Sequence, residues 1–164
     1  MRQMILSVLF VPSFWMILGG VSMADIRVIV IDEHRLPYDL GPSKYSNSPS
    51  NYDNSPSNYE NSESNYGNSP SNYANSSSNY KNSINGDRRV VSEDNTFLGY
   101  YVFGPDGIIN FYSAGGNRIG YIPGGGHTQS IFSENGWCGT MGERRRQPIL
   151  GLTQSCYYRF LLDN

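Results

Sequence analysis

Charge is scarce in this chain of 164 residues: Asp, Glu, Lys and Arg together make up 16% of it, where an ordinary soluble domain carries about one quarter. The formal net charge is only -2, so no polycation is available for a phosphate backbone, and the charge balance argues against nucleic acid as a partner. Histidine and cysteine occur twice each. His34 and His127 stand far apart, and Cys138 and Cys156 lie 18 residues from each other, so the close pairs of ligands that hold structural zinc are missing. The two cysteines form an even pair, free either to bridge in an oxidising compartment or to remain as buried thiols. No G-x-S-x-G elbow is present, and no glycine-rich loop ends in the lysine that a nucleotide phosphate requires. No cofactor is indicated. What fills the gap is Asn, Ser, Gly and Tyr, with 18 glycines and 13 tyrosines.

Residues 1–24 hold the longest apolar stretch, from Met4 to Gly20, preceded by Arg2 and followed by Val21-Ser22-Met23-Ala24. A basic start, an apolar stretch short for a bilayer span, and small residues at the end read as a signal peptide cleaved near Ala24. Two alternatives are a retained membrane anchor and an intracellular protein that starts at Met23. The expected location is therefore outside the cytoplasm, secreted, periplasmic or on the cell surface, with the cytoplasm as the alternative.

Residues 25–44 open with Ile26 to Ile31, β-branched as in a buried strand, and then pass through Asp32, Glu33 and His34 into a linker. No helix follows to complete a βα unit, so these charges read as the solvated end of a short strand.

Residues 45–83 form a tandem tract of seven-residue units opening at Tyr45, Tyr52, Tyr59, Tyr66, Tyr73 and Tyr80. The position after tyrosine is Ser46, Asp53, Glu60, Gly67, Ala74 and Lys81 in turn, a range that reads as a water-facing site. Only one apolar position recurs per unit, where a coiled-coil seam needs two. Pro49, Pro56 and Pro70 exclude a long helix, and an odd period throws successive tyrosines to opposite faces of a strand. Two readings remain: an extended, turn-rich spacer with Asx and ST turns, and a stack of very short coils with one unit per rung. Solenoid rungs usually need about 20 residues and several apolar ones, which favours the spacer. Its tyrosines either stack on sugars or bases, or are simply copied by duplication.

From residue 95 to 164 short apolar and aromatic runs alternate with Asp-Gly, Gly-Asn and Asn-Gly turn signals. This reads as an all-β domain of six to eight short antiparallel strands, a small barrel or a set of radial short-bladed sheets, with the last strand over 154–162. No stretch there has a helical period. Leu98-Gly99-Tyr100 is echoed by Ile119-Gly120-Tyr121, and residues 128–132 by residues 153–157. The NSPSNY-type units followed by YYVFGPDGIINFYSAGGNRIGYIPGGGHTQSIFSENGWCGTMG resemble small bacterial proteins, and residues 97–162 resemble the four-fold beta-flower domain family. That resemblance implies short sheets arranged radially and supplies no catalytic residue. The stretch from Glu143 to Gln147 departs from its even spacing and leaves the number of blades open.

Three constellations invite a catalytic reading. Ser130 or Ser133 with His127 and Asp106 would make a triad, Glu134, Glu143 and Asp106 a carboxylate pair, and Gly124–Gly126 a phosphate cradle. Each has a simpler reading as turn chemistry. The better candidate is a binding patch in which Arg144, Arg145 and Arg146 join Trp137, Tyr157 and Tyr158. The function expected is non-enzymatic: an exported protein whose spacer presents a small β domain to a polysaccharide or a protein at the cell surface. Strand pairing could join copies into a homo-oligomer. The alternatives are a small secreted hydrolase with an unrecognised site and the intracellular protein starting at Met23.

Overall fold

A computed structural model describes residues 25–162; the leader expected over residues 1–24 lies outside them. Eight strands close into a barrel in sequence order: β1 (Ile26–Val30), β2 (Arg89–Val91), β3 (Phe97–Phe103), β4 (Ile109–Ser113), β5 (Arg118–Ile122), β6 (Ser130–Ser133), β7 (Gly136–Arg144) and β8 (Gln147–Leu152). The small all-β barrel is thus the architecture formed. β1 runs parallel to both its neighbours, β2 and β8, and the other neighbouring pairs are antiparallel. Since β1 and β2 both enter the sheet, the barrel reaches beyond residues 95–164. Each strand is paired on both sides, and a homo-oligomer built by strand addition would first have to open the ring.

The interior is one apolar cluster drawn from all eight strands, including Val28, Val90, Leu98, Phe111, Ile119, Ile131, Cys138 and Leu150. The run over 154–162, expected as a strand, is instead the helix α1 (Gln154–Leu162). Cys156 and Phe160, four residues apart, fall on one helical face and are buried in that cluster. α1 touches β1, β3, β4, β5, β7 and β8. Cys138 and Cys156 are joined by a disulfide that ties β7 to α1.

A parallel pair needs a long crossover, and the crossover from β1 to β2 contains the seven-residue tract. The free spacer expected there is not what forms. Each unit folds into tight turns: Asn54 N–H donates to Asn51 O, and Ser55 N–H to Tyr52 O. The side chains close the same turns, because Asn51 Oδ1 accepts from Asp53 N and Ser48 Oγ from Ser50 N. The third residue of each unit staples one rung to the last. Asn54 Nδ2 donates to Ser46 O and Ser48 O, Asn61 to Asp53 O and Ser55 O, and Asn68 to Glu60 O and Ser62 O. Asn75 and Asn82 continue the series. The six third-position asparagines, Asn47, Asn54, Asn61, Asn68, Asn75 and Asn82, are no more than 6% exposed. The stack of short coils is therefore realised, with a core of amides in place of apolar side chains: two N–H donors per unit meet two backbone carbonyls, one of which, as at Ser48 and Ser55, also accepts a turn N–H.

Candidate functional site

With asparagine turned inward, tyrosine is turned outward. Tyr45, Tyr52, Tyr59, Tyr66, Tyr73 and Tyr80 are all between 63% and 70% exposed. Each opens an equivalent rung, so the rings form a regular row on an ordered support.

The barrel holds that support in register. Tyr121 Oη donates to Asn54 O at 2.8 Å, Arg118 Nη1 to Asn61 O at 2.7 Å, Tyr112 Oη to Asn68 O at 2.7 Å and Tyr100 Oη to Asn75 O at 2.7 Å. Four successive units thus offer the same carbonyl to four side chains of β3, β4 and β5. The amide oxygens of three units are met as well, by Thr128 Oγ1 at Asn47, His127 Nε2 at Asn54 and Asn110 Nδ2 at Asn68. Tyr100 and Tyr112 stack with ring centroids 5.2 Å apart, and the Arg118 guanidinium lies over the Tyr121 ring. Burial raises the pKa of all three phenols, and burial also pulls the Arg118 guanidinium below its ordinary value. The echo between residues 98–100 and 119–121 has a physical meaning here, since Tyr100 and Tyr121 end their echoed triplets in the same bond to the ladder.

Not every variable position in the tract faces water. Gly67 is half-buried against Pro105, and a Cβ there would stand 2.7 Å from Pro105 Cγ. Glycine occupies the unit where the barrel comes too close for any side chain.

The expected arginine and aromatic patch is not assembled in one place. Arg144, Arg145 and Arg146 lie exposed at the tip of the β7–β8 hairpin, where Arg145 and Arg146 take left-handed backbone angles. Trp137 begins the same strand, roughly 23 Å away at about 3.3 Å per residue. Its indole N–H donates to Ser130 Oγ, and the ring packs beside Ile108, Tyr121 and Phe132. Tyr157 rests on the barrel interior, whereas Tyr158 is exposed on α1 and bonded to Gln154.

The catalytic constellations are separated too. Asp106 and His127 line one groove between ladder and barrel, but His127 is turned to Asn54, and Ser130 is buried beneath the indole. Asp106, Glu134 and Glu143 border three different hollows. The glycine triplet serves packing and turn geometry, because a Cβ on Gly124 would stand 2.3 Å from Asp106 O and Gly125 and Gly126 take left-handed backbone angles. Among the described residues no group of three His, Cys, Asp or Glu could hold a metal ion, and no helix is long and apolar enough to cross a membrane.

No family model, curated protein or solved structure matches the chain.

Proposed function

We propose that this is an exported, non-enzymatic binding protein that engages an extended polysaccharide through its row of tyrosines. One observation carries the reading: six rings at equivalent positions of an ordered ladder are equally exposed, while the asparagine two residues after each is sealed. Aromatic rings with one polar tip suit contacts that are apolar on one side and wet on the other. A sugar ring presents such a surface, with C–H bonds on its faces and hydroxyls at its rim. Rings held on a folded support lose little conformational freedom when a polymer lies across them, and several weak contacts in series add up through effective concentration. The disulfide fits an oxidising compartment, in keeping with export.

Affinity electrophoresis through gels containing neutral polysaccharides tests the proposal. The wild-type chain is expected to be retarded by at least one of them, and retardation should fall stepwise as Tyr52, Tyr59, Tyr66 and Tyr73 are changed to Ala. Tyr→Phe at the same positions should retain most of it. Equal mobility of the wild type and the fourfold alanine variant in every gel would end the proposal. The exposed rings are not needed for the fold, so circular dichroism should be unchanged.

A further inference from the structure

A broad, open hollow lies away from the tyrosine row. A cleft of about 890 Å³ opens where the end of β1, the start of β7 and the first turn of α1 converge, a size in the usual range for small-molecule sites. Trp137 forms one wall, Thr153, Gln154 and Ser155 a second, and the segment from Val30 to Leu36, with Asp32 and Glu33, the third. We infer that this cleft is a binding site for a short saccharide of one or two rings, with the half-buried Trp137 as the stacking surface.

The walls are fixed to one another before any ligand arrives. The disulfide joins the residue after Trp137 to the residue after Ser155. Thr153 N–H donates to Cys138 O, and Ile31 N–H to Leu152 O, each at 2.8 Å. Trp137 is also held by its indole N–H on Ser130 Oγ at 3.1 Å, which fixes the ring without using its faces. A cleft with pinned walls avoids the ordering cost that a floppy one must meet on binding.

The chemistry of the lining selects the ligand class. An aromatic wall opposite hydroxyls, a carboxamide and carboxylates matches a molecule with an apolar face and a rim of hydroxyl groups. Asp32 and Glu33 disfavour an acidic sugar by like charge, so a neutral or amino sugar fits best. With Arg35 beside Asp32 and Glu33, both signs of charge stand at the mouth. That arrangement offers orientation by hydrogen bonds without a strong field.

The test is a calorimetric titration of the intact protein and its variants, with the indole N–H resonance of Trp137, assigned by its loss in Trp137→Phe, followed in parallel wherever Trp137 is retained. Gluco-, chito- and mannooligosaccharides are the probes. Saturable binding of at least one of them, with a matching shift of the wild-type indole resonance, is expected, with the calorimetric affinity weakened about tenfold in Trp137→Ala, the loss of one aromatic contact, and less in Trp137→Phe. Gln154→Ala, at an exposed position of α1, should also weaken binding with the fold intact. No saturable shift with any probe, or equal affinity in wild type and Gln154→Ala and Trp137→Phe, would overturn the inference. The outcome is separable from the tyrosine-row proposal, because the fourfold tyrosine variant should keep the Trp137 shift and Trp137→Ala should keep its retardation in polysaccharide gels.

Discussion

Gly67 and Ala74 hold the same place in neighbouring units, yet their surroundings differ. At Gly67 the nearest barrel atoms, Pro105 Cγ and Cδ, stand 2.7 and 2.9 Å from where a Cβ would be, while Ala74 is exposed. Gly67→Ala is therefore expected to destabilise the fold by about 1–3 kcal/mol, the usual cost of forcing a methyl group into filled space. Ala74→Gly should change stability by less than about 1 kcal/mol. Urea unfolding of both variants checks the contrast, and equal midpoints would show that Pro105 yields. The asparagines teach a related lesson. Their burial could not be read by counting apolar groups, because what each one buries is a pair of N–H donors matched to two carbonyls of the preceding rung. The turn chemistry was legible, since Asx and ST turns at Asn51 and Ser48 form as their residue types suggest.

The ladder as an element depends on phenols that donate. Tyr100, Tyr112 and Tyr121 give their hydroxyl protons to three of the four carbonyls by which the barrel holds it, and burial raises the pKa of each. A raised pKa means that the folded state holds the proton more tightly than the unfolded chain. The stabilisation is complete below the unfolded value of about 10 and is lost progressively as pH climbs above it toward the folded value. Thermal melting should thus be flat through neutral pH and fall steeply in alkali. The triple variant Tyr100→Phe, Tyr112→Phe and Tyr121→Phe should melt lower at neutral pH with a shallower alkaline fall, and an unchanged alkaline slope would place the titrating groups elsewhere. α1 shows the limit of pattern reading at this scale. Residues 154–162 read as a strand, because the single i, i+4 pair of Cys156 and Phe160 that marks the buried face of the helix is too little to stand out as a period.

At the scale of the whole molecule, the tract decides whether the barrel has an exposed face. An unrelated tether and a structural crossover make opposite predictions when residues 45–83 are replaced by a Gly/Ser linker of equal length. A tether would be exchanged without cost. A crossover covers Tyr100, Tyr112 and Tyr121, each no more than 1% exposed, and its loss would open those rings to water. Burial of a large side chain contributes roughly 1.5–3 kcal/mol, so three of them place the expected loss on the order of 5 kcal/mol, a large part of what holds a domain of this size together. β1 and β3 to β8 were legible in the sequence from β-branched runs and turn residues, whereas the three-residue β2 and the closure were not, because nothing local shows that β1 pairs with both β2 and β8 across so long a connection. Denaturant unfolding and dye binding to exposed apolar surface measure the effect. A linker variant that unfolds at the wild-type midpoint would return the tract to the role of a tether. Early unfolding and strong dye binding would show that seven-residue rungs stapled by asparagine serve where parallel strands are ordinarily joined by a helix.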